Sequence, residues 1–182
     1  MVEDLALLVA GMFAWTFVEY VIHGWLSHTF RTFAMRLHSL HHRDPHAVFT
    51  VRAWVPMAAV WTMIVLLFGW TPWVIVLSGM VAGFVGYETV HYRIHFRWPG
   101  GRIEDYLRAR HLVHHEACAN RCFGVTSAVW DLVFGTEPMG EDITELYESM
   151  RSRPPLTGPT NLYRLRNFFL PWSHLARQSR TQ

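Results

Sequence analysis

The chain has 182 residues, enough for one domain, of which 51% are hydrophobic, 15% aromatic and only 16% charged. A formal net charge of +2 gives no reason to expect a nucleic acid as partner, and two cysteines are too few for a disulfide framework. So apolar a composition is unusual for a soluble domain.

The first predicted element is an apolar run from Leu5 to Ile22, interrupted only by Glu19. At about 1.5 Å per residue, a helix of this length can just cross a bilayer. It ends at His23 and His28, which lie about 140° apart on an ideal helix, but Gly24 can loosen the helix so that both rings turn inward. Glu19 is expected either to accept the N–H of His23, one turn away, or to reach the lipid headgroups as a helix-end charge.

A second histidine group, His38-Ser-Leu-His41-His42, follows within an arginine-rich stretch, residues 29–52. A helix is predicted to run to about Arg43, because Pro45 disfavours a helical conformation at Asp44. Histidines three and four residues apart share one helix face, so these three rings can point the same way.

The chain then carries no charge from Ala53 to Tyr87, which is too long for a single membrane crossing. Gly69-Trp70-Thr71-Pro72 marks a turn, and two antiparallel membrane helices are predicted at about 53–69 and 72–96. Glu88, His91 and His95 share one face at the far end of the second helix.

Arginines occur only in the 29–52 stretch and after residue 92. With three predicted membrane helices, the positive-inside rule therefore places the histidines on the cytoplasmic side of the membrane.

A further helix, from Ile103 to about Asn120, carries His111, His114 and His115. A polar helix is expected from Glu141 to Arg151, and 161–170 is a basic amphipathic stretch suited equally to a membrane surface or to packing on the protein.

Ten of the twelve histidines thus fall into four groups, and two of the groups share the pattern H-x-x-H-H. Neutral imidazole is the commonest nitrogen ligand for transition metals, and one ion takes roughly four to six ligands, so ten indicate two ions. His46 and His174 are expected to take no part. Cys118, one turn after His114, is favoured as a small buried thiol over a soft ligand. The predicted ligands are His23, His28, His38, His41, His42, His91, His95, His111, His114 and His115.

The order of the histidine groups around a two-helix hairpin resembles the fatty acid hydroxylase/sterol desaturase superfamily of integral membrane enzymes. The segments Val18–His23, Gly86–Tyr92 and Phe123–Thr136 also resemble family segments. The likeness covers about residues 11–136 and is closest to the fatty acyl 2-hydroxylase branch, although Glu88 stands where that branch usually has aspartate.

This resemblance implies an all-α membrane bundle of about three membrane helices with a cytosolic, histidine-rich cap. It implies a membrane-embedded hydroxylase domain, residues 1–136, followed by a peripheral helical tail, residues 137–182. The same ten histidines, carried over by position, would hold two ions, iron in the active enzyme, with zinc able to replace it in purified protein. The co-substrate would be O2, the substrate a membrane lipid, most simply its fatty acyl chain. Electrons would come from a separate donor resembling cytochrome b5, a ferredoxin or a rubredoxin.

Neutral imidazoles leave the charge of the ions uncompensated, so nearby carboxylates are candidates to offset it: Glu19, Glu88, Glu116 and Asp131. Asp131 is expected either to hold a ligand histidine or to cap a helix, with the structural role slightly favoured.

Three alternatives to a lipid hydroxylase stay open. One is a desaturase, or a hydroxylase of carotenoid or sterol-like lipids, with the same chemistry. Another is a membrane metal transporter or metal-storage protein, although a transporter should place its ligands along the bilayer midplane. The third is a structural zinc protein, for which ten ligands exceed the need.

Overall fold

The computed structural model describes residues 1–30, 32–46, 51–140 and 142–158, and every regular element in these ranges is a helix. The predicted all-α class is therefore confirmed. In chain order the elements are α1 (Val2–Tyr20), which continues into a π-helical segment (Val21–Leu26), α2 (Phe33–Arg43), α3 (Val51–Phe68), α4 (Pro72–Phe96), α5 (Arg102–Glu116), α6 (Val129–Phe134) and α7 (Asp142–Arg151).

Helices α1 and α4 pack against each other with their backbones in close approach. A Cβ added to Gly11 would lie 2.1 Å from the Val76 carbonyl oxygen, and one added to Gly79 would lie 2.1 Å from the Leu8 carbonyl oxygen. Small residues at such crossings let membrane helices approach closely, and no larger side chain fits here without moving a backbone. This contact sets the relative position of the two helices that carry His23 and His91.

Two of the described helices are long and apolar enough to cross a membrane. They are Val2–Leu26, with a mean hydropathy of 1.9, and Pro72–Phe96, with 1.5. Helix α3 is apolar from Met57 to Phe68, and Leu66 and Leu67 on it are exposed. The third crossing, predicted at 53–69, stays a prediction.

The predicted helix at 72–96 coincides with α4, but the helix expected to reach Asn120 ends at Glu116. Ala117 leaves the helical conformation, with φ −122°. Sequence reasoning did not identify α6, a single short helix that ends at Gly135 in the left-handed conformation, with φ 70°.

The two short helices attach to different partners. Helix α6 lies against α1, where Trp130 Nε1 donates to Thr16 Oγ1 at 2.9 Å. Helix α7 packs on α5 through Met150, and the Leu156 N–H donates to the His95 carbonyl at 2.7 Å. Residues 159–182, which include His174 and the amphipathic stretch 161–170, lie outside the described residues, and the division of the chain at residue 136 stays a prediction.

Candidate metal centre

The ten predicted histidines come together in two groups of five, and in each group one nitrogen from every ring lies within 4.8 Å of the others. We call them the first and second clusters. Neither group contains a carboxylate or a cysteine among the residues that the structure describes. The first cluster consists of His23, His28, His38, His42 and His114, and the second of His41, His91, His95, His111 and His115.

Each H-x-x-H-H motif supplies both clusters. In α2, His38 and His42 face the first cluster and His41 the second, whereas in α5 His111 and His115 face the second and His114 the first. Residues four apart on a helix share a face, so each motif gives a pair to one cluster and the third ring to the other. The remaining pairs come from the ends of the two membrane-type helices.

His23 and His28 meet because the helix changes its pitch between them. The π-helical segment Val21–Leu26 brings residues five apart into line, as i→i+5 hydrogen bonding does. Gly24 lies under the Phe123 ring, and a Cβ there would be 2.9 Å from Phe123 Cδ2. The expectation that Gly24 lets both rings turn inward is therefore confirmed, and the close approach of the ring gives glycine a second reason to stand there.

Burial is the main cause that lowers the pKa of the rings outside the membrane-type helices, and these rings are therefore neutral. It lowers the pKa of His42 to about 4, and it lowers those of the other rings outside the membrane-type helices as well: His28, His38, His41, His111, His114 and His115. A neutral imidazole has one N–H and one lone pair. Each such ring therefore has one nitrogen free to act as a ligand.

The arrangement of the lone pairs fits a metal ion. His23 and His114 donate their Nδ1 protons to backbone carbonyls, so their Nε2 atoms carry lone pairs, and these two atoms face each other at 3.0 Å. Such lone pairs repel unless a cation lies between them. Two ligands at right angles around an ion with metal–nitrogen bonds of about 2.1 Å are about 3.0 Å apart. In the second cluster, Nε2 of His91 lies 3.0 Å from those of both His41 and His111.

A buried ionic network lies behind the first cluster. Arg110, on α5, donates to Asp131 Oδ2 at 2.7 Å and to Glu137 Oε2 at 2.7 Å, and all three side chains are buried. Its Nη1 donates to the Gly124 carbonyl at 2.8 Å. The sequence analysis did not single out Arg110 or Glu137 as residues of the site. The sequence did contain a signal for this network, since Arg108 and Arg110 directly precede the histidines of the same helix.

Asp131 takes the structural role that was slightly favoured, but not as a helix cap. It accepts from the amides of Phe123 and Gly124 at 2.8 Å each and from the Thr136 hydroxyl at 2.7 Å. It thus folds the loop before α6 rather than contacting a ligand histidine.

Glu19 follows neither of its two expected roles. Its side chain is only 3% exposed, so it does not reach the headgroups. It accepts hydrogen bonds from the amides of Val125 and Thr126 and from the Thr126 hydroxyl instead of from the His23 ring. A helix-end carboxylate is attracted by whichever unpaired amides lie nearest, and the sequence did not show that a loop more than a hundred residues later supplies them.

The other candidates are placed as follows. Glu88 is buried on α4, three residues before His91, and Glu116 pairs with Arg153 at 3.0 Å near the surface. His46 lies outside both clusters, with its Nε2 3.1 Å from the Thr157 carbonyl. Cys118 is partly buried and packs beside the apolar contact of α5 and α7.

Comparison with known proteins identifies a family and several relatives by sequence. The family model of fatty acid hydroxylases matches residues 8–136. A dihydroceramide fatty acyl 2-hydroxylase of Arabidopsis thaliana is 31% identical over 147 residues, which cover 75% of this chain and 62% of that protein. A ceramide very long chain fatty acid hydroxylase of Schizosaccharomyces pombe is 33% identical over 156 residues, covering 73% and 42%. The fatty acid 2-hydroxylase of Mus musculus is 33% identical over 146 residues, covering 72% and 39%.

No solved structure matches the chain significantly. The chain spans less than two thirds of the length of these curated relatives, and the matched part contains all four histidine groups. The resemblance expected from the histidine spacing is confirmed: the chain belongs to the fatty acid hydroxylase family.

Proposed function

We propose that this chain is an O2-dependent hydroxylase of membrane lipids that inserts one oxygen atom into an aliphatic C–H bond of a fatty acyl chain. The observation that carries the proposal is the pair of five-histidine clusters at the ends of two membrane-type helices, in a chain of the fatty acid hydroxylase family. The relatives named above are fatty acyl and ceramide hydroxylases, which favours the acyl part of a lipid as substrate.

Each cluster would hold one metal ion, iron in the active enzyme, through its five ring nitrogens. An aliphatic C–H bond has no acidic proton, and iron with O2 and electrons from a separate donor supplies the oxidising power that acid–base side chains lack. The chain's own contribution is to bring ten imidazoles together and to orient them. A protein resembling cytochrome b5, a ferredoxin or a rubredoxin would deliver the electrons.

An apolar cavity supports the choice of an acyl chain. It measures about 390 Å³ and lies between α1, α3 and α4, where Trp15, Trp61 and Phe84 contribute to its lining. The Trp15 and Phe84 rings are 5.2 Å apart, and Tyr87, one turn further along α4, stacks on His91 at 5.4 Å. Aromatic side chains therefore extend from the cavity to the second cluster, and an alkyl chain seated there would point toward the histidines.

We propose three membrane crossings, with the N-terminus outside and the histidines in the cytoplasm. The arginine asymmetry of the sequence and the two membrane-type helices support this arrangement. Cysteines introduced at Val2 and Leu40 should react with an impermeant thiol reagent from outside and from inside the cell, respectively. The unaltered chain controls for Cys118 and Cys122, and labelling of position 40 from outside would contradict the topology.

The activity test uses the full chain in lipid, loaded with iron and supplied with a reducing system and isotopically labelled O2. Purified protein should hold close to two metal ions per chain, and labelled hydroxyl should appear on the acyl chain. A ratio near one ion contradicts the two-ion site. A new double bond without label would identify a desaturase, and metal crossing vesicles with no lipid turnover would identify a transporter.

A further inference from the structure

The loop of residues 121–126, which we call the orienting loop, holds two rings of the first cluster. The Arg121 carbonyl accepts from His114 Nδ1 at 2.8 Å, and the Phe123 carbonyl accepts from His23 Nδ1. A carbonyl on the remote nitrogen of a metal-binding imidazole fixes its tautomer and its orientation. Two of the five rings of this cluster are therefore aimed by one short segment of backbone.

The backbone at Cys122 turns the chain between the two carbonyls. Cys122 has φ 56°, the left-handed conformation that a residue with a side chain adopts uncommonly, and it is fully buried. Such a conformation persists only where surrounding contacts hold it. The orienting loop is therefore not rigid by itself and depends on the groups that brace it.

Glu19 supplies the bracing contact from α1. Its Oε1 accepts from the amides of Val125 and Thr126 at 2.6 and 2.9 Å, and its Oε2 accepts from the Thr126 hydroxyl. Glu19 stands one helical turn before His23. The same stretch of helix is thus tied to the loop twice, once through the carboxylate and once through the ring of a proposed ligand.

We propose that Glu19 is a positioning residue for the first metal site. It holds the orienting loop in place and thereby directs His23 Nε2 toward the ion, while its hydrogen bonds within the described residues reach no residue of the second cluster. The inference rests on the metal-binding role proposed above. Loss of the carboxylate therefore weakens binding in the first cluster and leaves the contacts of the second cluster intact.

The test measures Co²⁺ binding by absorption spectroscopy on the full-length, chelator-stripped chain in detergent. In one background, His91→Ala with His95→Ala disables the second cluster, so that binding reports the first cluster alone. In the other, His28→Ala with His38→Ala disables the first cluster. Glu19→Ala should weaken Co²⁺ binding about 10–100-fold in the former, as the loss of outer partners of metal ligands typically does, and leave it unchanged in the latter.

Glu19→Gln provides a second variant in case Glu19→Ala does not fold. The amide keeps one oxygen acceptor for the two backbone N–H groups, so binding to the first cluster should fall less than with alanine, and the cobalt spectrum should return toward that of the parent. Equal losses in both backgrounds would show general destabilisation, and no loss in either would show that the loop is held without Glu19; both outcomes overturn the inference. If neither parent background binds Co²⁺, the metal-binding proposal itself fails and the inference fails with it.

Discussion

The two histidine clusters have the same number of rings but differ in what surrounds them. Three rings of the first cluster, His28, His38 and His42, are only partly buried, whereas four of the five rings of the second are fully buried. In the first cluster, carbonyls of the orienting loop accept the Nδ1 protons of His23 and His114. In the second, Nδ1 of His41 and of His111 is buried without a hydrogen-bond partner among the described residues.

The comparison shows two ways of preparing a metal site. In the first cluster the two buried rings, His23 and His114, are oriented by specific hydrogen bonds to backbone carbonyls. The second is oriented by packing, and a buried N–H without an acceptor costs about 1–3 kcal/mol. A bound ion should therefore matter more for keeping the second cluster in order than for the first.

The largest expected effect comes from removing one ring in each cluster. His114→Ala and His41→Ala should each lower the metal content by about one ion per chain and the hydroxylation rate by more than about 100-fold, because losing a ligand exceeds the loss of an outer partner. Metal analysis with parallel turnover assays checks this. The control is His46→Ala, since His46 lies outside both clusters, and a full metal content in His41→Ala would remove it from the ligand set.

A smaller effect is expected from the two buried arginines of α5, Arg110 and Arg108, which should differ in how much they stabilise the fold. Arg110→Met would leave the buried carboxylates of Asp131 and Glu137 unpaired and should lower the free energy of unfolding by about 3–5 kcal/mol. Within the described residues, Arg108 donates to backbone carbonyls alone, those of Ile94, Met150 and Arg153, so Arg108→Met should cost about 1–3 kcal/mol. Denaturation in detergent measures the free energy of unfolding of both variants. A larger loss for Arg108→Met than for Arg110→Met would contradict the role given to the ionic network.

The contact between the helices that carry the two clusters can be tested through glycine. Gly11→Ala and Gly79→Ala should each destabilise the chain by about 1–3 kcal/mol, because the new methyl meets a carbonyl oxygen of the other helix. An added Cβ on Gly86, on the same α4, would meet no atom of another described element within 4 Å, so Gly86→Ala should be neutral or stabilise by about 0.5–1 kcal/mol. Thermal unfolding of the three variants shows whether each substitution stabilises or destabilises the chain. An unchanged stability of Gly79→Ala would show that the helices do not approach as described.

The smallest effect concerns removal of the metal. After chelation, amide hydrogen exchange should rise more at the end of α4, residues 91–96, than in the π-helical segment, residues 21–26, because the Phe123 carbonyl and Gly24 contact hold the latter without an ion. Mass spectrometry of peptides from the two regions gives the comparison. A larger rise at residues 21–26 would contradict the conclusion that the first cluster depends less on a bound ion than the second.

Sequence reasoning could predict which residues meet but not what holds them. The spacing of His38, His41 and His42 limits their directions on a helix, and the five-residue spacing of His23 and His28 around Gly24 indicates a change of helical pitch. The assignment of each ring to one cluster depends on the packing of four helices, which no local pattern contains. Glu19 illustrates the same limit, since its partners Val125 and Thr126 are distant in sequence and offer backbone amides, which every residue type has.

The division of both H-x-x-H-H motifs between the clusters has a thermodynamic consequence. An ion in either cluster would fix α2 and α5 together, and these helices also carry ligands of the other cluster. The second ion would then bind to rings whose conformational entropy has already been reduced, which is positive cooperativity without any change of shape. By linkage the effect is reciprocal, so an ion in either cluster should raise the affinity of the other cluster for its own ion.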